Sequence, residues 1–137
     1  MAASALASPM DLLTAPDAPA AVGPYSAAVR AGGFVFCSGQ TPLDPATGRL
    51  VEGDLATQTR RVFDNIRAVL SAQGLGLADV CKAMVFLTTM DDFAAMNDVY
   101  AEAFGDHRPA RSTVAVAGLP LGARVEIEVT ALDRPAR

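Results

Sequence analysis

Apolar residues recur at helical spacing in two stretches of the chain, and each stretch has start and stop signals. Asp54 is a suitable N-cap for a helix that continues to about residue 73 and ends before Gly74. A second helix is predicted to begin at Asp91 or Asp92 and to end at Gly105. The two apolar stripes contain Leu55, Val62, Ile66, Val69 and Leu70 in the first helix and Phe93, Met96, Tyr100 and Phe104 in the second. Such stripes have to be covered by a sheet.

Short apolar runs predict the strands of that sheet. The run SAAVRAGGFVFCSG predicts two strands joined at Gly32 and Gly33, which supply the positive φ of a tight turn. VCKAMVFLTT is nearly continuous in apolar residues, as is typical of a central strand. Residues 111–117 and 124–132 are predicted to form a final hairpin, which gives the order β-β-α-β-α-β-β. This order predicts a single α+β domain with a mixed sheet and both helices on one face.

The last predicted strand has one apolar and one polar face. Its apolar positions are Val125, Ile127, Val129 and Ala131, and its polar positions are Arg124, Glu126, Glu128 and Thr130. Because two helices cover only one side of the sheet, the other side must face solvent or another copy of the chain. The apolar character of the strands favours another copy.

Composition and charge exclude several classes of protein. A chain of 137 residues fits one domain, and no apolar run approaches the roughly 20 residues of a membrane-spanning helix. The formal net charge is -4 without a basic cluster, which disfavours a nucleic-acid partner because phosphates attract cationic surfaces. A membrane partner is likewise not expected.

The first residues have no targeting features. No lysine or arginine precedes Arg30, so the chain lacks the basic start of a signal peptide and the arginines of a transit peptide. A cytoplasmic protein is therefore predicted. Residues 1–16 are rich in Ala, Ser and Pro and are predicted to be a flexible extension of a domain over 17–133, with order beginning near Gly23.

The reactive side chains do not form a familiar catalytic or metal-binding pattern. Cys37 and Cys81 are far apart and each lies in an apolar run, so both are interpreted as reduced, buried thiols. His107 is the only histidine, which leaves no Ser-His-Asp or Cys-His arrangement, and it is interpreted as a surface residue. Lys82 is the only lysine, and no neighbour in sequence would lower its pKa for Schiff-base chemistry.

Six segments together resemble the RidA (reactive intermediate deaminase A, YjgF-like) family over residues 17–133. They are GPYSAAV at 23–29, FCSGQTPLDPATG at 36–48, QTRRVFDNI at 58–66, VFLTTMDDFAAMNDVY at 85–100, RPARSTVAVAGLP at 108–120 and VEIEVTAL at 125–132. The resemblance implies a chorismate-mutase-like protomer in a homotrimer with ligand sites between subunits. It also implies hydrolysis of enamines and imines such as 2-aminoacrylate to 2-keto acids and ammonia, without a cofactor or metal.

The resemblance assigns the central roles to Arg111 and Glu126. Arg111 matches the arginine that binds the substrate carboxylate, and a planar guanidinium can do so through two parallel hydrogen bonds. Glu126 matches the acid that positions or activates the attacking water. Without the resemblance, a surface role and a functional role would be equally good interpretations of Arg111, and Glu126 would be interpreted as a solvated strand acid. Glu128 is interpreted as structural or interfacial.

Six further residues match positions that line the cleft in the family: Tyr25, Ser38, Gly39, Asn97, Thr113 and Pro120. Backbone groups around Ser38 and Gly39 are expected to help hold the substrate, because glycine permits close approach. For Tyr25 and Asn97, core packing or hydrogen bonding at a helix surface is an equally good interpretation.

Register in the predicted final hairpin suggests that the site is shared between chains. If residues 118–123 close the hairpin, Arg111 and Glu126 lie four rows apart, which is roughly 13 Å and too far for one three-carbon substrate. The prediction is that Arg111 comes from one subunit and Glu126 from its neighbour.

Three alternatives to this function stay open at the level of sequence. A related deaminase of another carboxylated imine or enamine would use the same fold and arginine. A metabolite-binding regulator would keep Arg111 but would not need Glu126. Some relatives have been described as ribonucleases or translation inhibitors, and the acidic balance of this chain opposes that activity.

Overall fold

A computed structural model describes residues 10–134, which form one mixed six-stranded sheet with two α-helices. The elements in chain order are β1 (Asp11–Leu13), β2 (Ala28–Ala31), β3 (Phe34–Cys37), α1 (Leu55–Ser71), β4 (Val80–Leu87), α2 (Phe93–Phe104), β5 (Ala110–Ala115) and β6 (Val125–Leu132). The strand order across the sheet is β1-β2-β3-β6-β4-β5. Only the β4–β5 pair is parallel among these neighbours. The predicted α+β class and mixed sheet are confirmed.

The local signals identified in the sequence act as predicted. The carboxylate of Asp54 accepts a hydrogen bond from the Thr57 amide at 2.8 Å, which caps α1. Gly32 and Gly33 both have positive φ, 59° and 85°, and join β2 to β3 in a tight hairpin. Gly105, with a φ of 63°, ends α2. These three predictions are confirmed because each depends only on residues close in sequence.

The predicted final hairpin is wrong. β5 pairs in parallel with β4, whereas β6 lies between β3 and β4 and is antiparallel to both. The physical reason is that β4, α2 and β5 form a crossover unit, in which the helix returns the chain to the same end of the sheet. β6 then inserts on the other side of β4 and completes the hydrogen bonding of that apolar strand.

The N-terminal part of the sheet was not anticipated. β1 pairs antiparallel with β2, with Asp11 opposite Arg30 and Leu13 opposite Ala28. It falls within residues 1–16, for which a flexible extension was predicted, so residues 11–13 of that segment belong to the sheet. Residues 1–9 lie outside the described residues.

Both helices pack on one face of the sheet, and this face forms the core. Alternate residues of β6 are buried, with Val125 and Ile127 at 0% exposure, and so are Ala83 and Val85 of β4. The rings of α2 pack edge to face against Phe63 of α1. The opposite face, here called the open face, carries exposed apolar side chains: Phe34, Phe36 and Leu132.

The two cysteines and the histidine have different surroundings from one another. Cys37 is buried, and burial raises the pKa of its thiol to about 12. Cys81 is exposed, because it lies at an irregularity between Val80 and Lys82 in the pairing of β4 with β6. The prediction that Cys81 is buried is therefore wrong. His107 is partly buried, with Nε2 2.6 Å from the Val80 carbonyl oxygen. This contact links the segment after α2 to the start of β4.

Within residues 10–134, no helix is long and apolar enough to cross a membrane.

Candidate active site

Arg111 lies on β5 and points to the helix-covered face of the sheet. It pairs with Ala83, which is fully buried, and paired residues on neighbouring strands share a face. Its Nη1 donates a hydrogen bond of 2.7 Å to Oδ1 of Asn97. Its guanidinium carbon lies 4.6 Å from the centre of the Tyr100 ring and 5.6 Å from that of Phe93. Arg111 and these three side chains of α2 are called the arginine site.

Glu126 lies near the start of β6 and lines a cavity of about 350 Å³, here called the glutamate cavity. Its wall includes four more of the residues predicted from the family resemblance: Tyr25, Ser38, Gly39 and Pro120. Further wall residues are Pro19, Ala20, Ala21, Val22, Ala27, Gln40, Thr41, Leu43 and Leu121. The structure therefore brings five of the eight predicted residues, Glu126 among them, together in one cavity.

The backbone at Gly39 fits closely against the Glu126 side chain. A Cβ atom added at Gly39 would lie 2.4 Å from Oε2 of Glu126, so only glycine leaves the carboxylate in this position. Burial raises the pKa of the Glu126 carboxyl, and the charge of Glu128 raises it further. No arginine or lysine in the described part of the chain forms a salt bridge with Glu126. The carboxyl is thus set to gain and lose a proton closer to neutral pH than an ordinary glutamate.

Hydrogen bonds fix two further wall residues of the glutamate cavity. The Ser38 hydroxyl donates to the Ser26 carbonyl at 2.6 Å, and the Ser38 amide donates to the Ala27 carbonyl at 3.0 Å. Both donors of Ser38 are therefore used within the fold. The Tyr25 hydroxyl accepts a hydrogen bond of 3.2 Å from the Val22 amide, while its side chain is half exposed.

Thr113 belongs to the side of the sheet that carries Arg111. It pairs with the buried Val85, two residues along β5 from Arg111. Its hydroxyl is buried and has no hydrogen-bond partner within residues 10–134. Thr113 does not line the glutamate cavity.

The arginine site and the glutamate cavity lie on opposite faces of the sheet in one chain. Glu126 pairs with Phe86 and alternates with the buried Val125 and Ile127, so its side chain leaves the helix-covered face. Arg111 pairs with Ala83, three residues away along β4 and one strand further across. The hairpin register that gave roughly 13 Å rested on a pairing that does not exist. The structure gives a stronger reason why Arg111 and Glu126 are apart in one chain. β4 lies between β5 and β6, and the two side chains point to opposite faces of the sheet.

Asn65 is a buried residue that supports the glutamate cavity and was not among the predicted site residues. Its Nδ2 donates to the carbonyl oxygens of Thr41, at 3.1 Å, and Leu43, at 2.8 Å. Its Oδ1 accepts from Nε and Nη2 of Arg61. The loop at residues 41–49 forms part of the cavity wall and is thereby attached to α1. The sequence signal that could have identified Asn65 is its position, as a polar residue, on the buried face of the first predicted helix.

The two clusters supply complementary chemistry. The arginine site offers a fixed cation suited to a carboxylate, and the glutamate cavity offers a carboxyl group suited to proton transfer. Among the described residues, no group of three or more histidine, cysteine or acidic side chains is arranged to hold a metal ion.

Comparison with known proteins gives consistent matches over nearly the whole chain. The sequence model of the family described as Endoribonuclease L-PSP matches residues 15–133. A RutC family protein of Pyrococcus horikoshii is 52% identical over 84% of this chain and 91% of its own length. A protein of Capra hircus named 2-iminobutanoate/2-iminopropanoate deaminase is 43% identical over 90% of each chain. The crystal structure of RidA from an Antarctic Psychrobacter superposes with a TM-score of 0.85 at 44% identity, covering 89% of this chain and 98% of that one.

Proposed function

Because the chain belongs to the RidA family of imine deaminases, we propose that it hydrolyses 2-iminobutanoate, 2-iminopropanoate and their enamine tautomers to 2-oxo acids and ammonia. The observation that carries the proposal is that one chain supplies both an arginine held by a hydrogen bond, Arg111, and a carboxyl group of raised pKa, Glu126. Relatives from Capra hircus, Bos taurus and Dermatophagoides farinae, 43–44% identical to this chain, bear the name of that activity.

In the proposed reaction, Arg111 binds the substrate carboxylate and so fixes the imine carbon beside it. Water adds to that carbon while Glu126 accepts a proton from the water and passes it to the imine nitrogen, which yields a carbinolamine. Glu126 then accepts the carbinolamine hydroxyl proton and passes it to the amine nitrogen as the carbon–nitrogen bond breaks, so that the carbonyl forms and ammonia leaves. A raised pKa suits this double role, because the group must act first as a base and then as an acid. General acid–base help of this kind contributes about 10²–10⁴-fold.

We further propose that the site is completed in a homotrimer, with the arginine site of one subunit facing the glutamate cavity of the next. The opposite orientation of Arg111 and Glu126 supports this arrangement, since one small substrate does not reach both side chains in a single chain. The apolar residues of the open face, Phe34, Phe36 and Leu132, support packing between subunits. The cytoplasm remains the predicted compartment.

A coupled assay tests the proposed reaction. A serine dehydratase generates 2-aminoacrylate, semicarbazide traps the imine that survives, and an active chain shifts the product from semicarbazone to pyruvate. We expect Arg111→Ala to lose nearly all of this activity and Arg111→Lys to lose most of it, because lysine does not form the two parallel hydrogen bonds. A lysine variant with the wild-type rate would remove the carboxylate-binding role of Arg111.

The same assay, together with a binding measurement and an RNA degradation test, separates the remaining alternatives. A regulator without catalysis would leave the semicarbazone yield unchanged while still binding 2-oxo acids. A deaminase of another carboxylated imine would be inactive with 2-aminoacrylate and active with imines of longer or branched amino acids. The ribonuclease activity named for the family model is opposed by the formal net charge of -4, and degradation of a labelled RNA by the purified chain is the direct check.

A further inference from the structure

Three side chains of α2 lie in one stripe beneath Arg111. Phe93, Asn97 and Tyr100 occupy positions i, i+4 and i+7 of the helix, which share a face. Oδ1 of Asn97 accepts a hydrogen bond from Nη1 of Arg111. The centres of the Phe93 and Tyr100 rings lie within 6 Å of the guanidinium carbon. The guanidinium carries five donors, so the edge formed by Nε and Nη2 remains for a carboxylate.

The Tyr100 ring is the better placed of the two aromatic contacts. At 4.6 Å from the ring centre, the guanidinium is within the range of a cation–π interaction, and Tyr100 is only 7% exposed, so water screens the contact little. Burial raises the pKa of the Tyr100 hydroxyl although the Arg111 charge opposes this, and the phenol therefore stays neutral. It does not form an ion pair with Arg111, and the contact depends on the ring.

The hydroxyl of Tyr100 contributes little to this arrangement. It is buried and has no hydrogen-bond partner within the described residues. A buried hydroxyl without a partner is destabilising, and phenylalanine would pack against Arg111 with the same ring. The useful part of the side chain is accordingly its face.

We propose that Tyr100 and Phe93 are positioning residues, whose rings hold the Arg111 guanidinium in the plane that presents its Nε and Nη2 edge to a substrate carboxylate. This inference rests on the proposed function, because it gives Arg111 a carboxylate to bind. It predicts that loss of the ring weakens carboxylate binding although Arg111 itself is unchanged.

Calorimetric binding of 2-oxobutanoate, the product of the proposed reaction, tests the positioning role. Tyr100→Leu is expected to weaken binding about tenfold, and Phe93→Leu about threefold, since its ring is farther away. Tyr100→Phe keeps the ring and is expected to bind within about twofold of the wild type. Phe104→Leu is the matched control, because Phe104 packs against the same Phe63 and Tyr100 rings without being among the Arg111 contacts.

The outcomes separate this inference from the proposed function. If Arg111→Ala binds 2-oxobutanoate like the wild type, the carboxylate role of Arg111 fails and the inference fails with it. If Arg111→Ala does not bind while Tyr100→Leu binds normally, only the positioning role is overturned. Equal losses in Tyr100→Phe or Phe104→Leu would also overturn it, since they would point to the hydroxyl or to a loosened core. Should Tyr100→Leu fail to fold by circular dichroism, the half-buried Phe93→Leu decides the question alone, with normal binding as the contrary result.

Discussion

The arginine site and the glutamate cavity are built in opposite ways. Arg111 is held by side chains of one helix, through a hydrogen bond to Asn97 and two aromatic rings. Glu126 is surrounded instead by backbone and loop residues, with Gly39 in close approach and Glu128 as a repelling neighbour. The difference teaches that the group proposed to remain charged is stabilised by a hydrogen bond and two rings, whereas the group proposed to exchange a proton has no salt bridge within the described residues.

The largest effect expected within this comparison is the loss of catalysis on replacing Glu126. Glu126→Gln keeps the size of the side chain and removes its basicity, and we expect the rate in the semicarbazide assay to fall by about 10²–10⁴-fold. Glu128→Gln is the control: it should keep most activity and move the acid limb of the pH profile to lower pH, because it removes one cause of the raised Glu126 pKa. Unchanged activity in Glu126→Gln would exclude Glu126 as the proton acceptor.

Mixing two inactive variants tests whether the two clusters act across chains. Arg111→Ala and Glu126→Ala chains are refolded together in equal amounts and compared with each variant refolded alone. In random trimers, roughly a quarter of the interfaces join an intact Arg111 to an intact Glu126, so activity should return toward a quarter of the wild-type value. Mixed trimers verified by mass that stay as inactive as their parents would contradict a site shared between subunits.

The close approach of Gly39 predicts a smaller loss of activity. In Gly39→Ala the new Cβ would displace the Glu126 carboxylate, and misplacement of a catalytic group by about 1 Å can lower a rate by about 10²-fold. We expect a loss of about tenfold to a hundredfold in the same assay. Gly118→Ala is matched to it, because a Cβ at Gly118 meets no atom within 4 Å. Equal activity in the two variants would mean that the position of the carboxylate is not critical.

The smallest effect concerns stability and its dependence on pH. Since the folded chain holds the Glu126 proton more tightly than the unfolded chain does, ionisation of Glu126 lowers the free energy of unfolding as pH rises above the ordinary glutamate pKa of about 4.3. The Gln variant lacks this loss. The difference in free energy of unfolding, Glu126→Gln minus wild type, should therefore increase from pH 4 to pH 7 in urea titrations. A difference that stays constant over this range would show that the Glu126 pKa is not raised.

The sequence predicted most of the helices and strands correctly, but it predicted less well which strands pair with one another in the sheet. Asp54, the Gly32–Gly33 turn and Gly105 act on residues within four positions, so their effects are visible without the fold. The insertion of β6 between β3 and β4 depends on which strand needs a hydrogen-bonding partner, and this is decided across the whole sheet. The three residues of β1 are too few to give a periodic signal.

The site was predicted in part for a similar reason. Arg111, Glu126 and Gly39 lie in segments with strong family resemblance, and the structure brings each into a cluster. Tyr100 was assigned to the apolar stripe of the second helix, and it is buried as predicted. Its additional contact with Arg111 could not be predicted, because it depends on β5 lying over α2. A helical pattern identifies the buried face of α2 without revealing which side chain from another strand lies on it.

Asn65 illustrates how a residue remote from the chemistry can be as restricted in its choice of amino acid as a catalytic one. Its amide uses both protons and both lone pairs, joining two loop carbonyls to one arginine inside the core. Aspartate lacks the donors, glutamine is longer by a methylene group, and leucine lacks every polar contact. In a saturation library scored for function, position 65 should therefore accept almost no other amino acid, while its exposed neighbours Asp64 and Arg67 accept many.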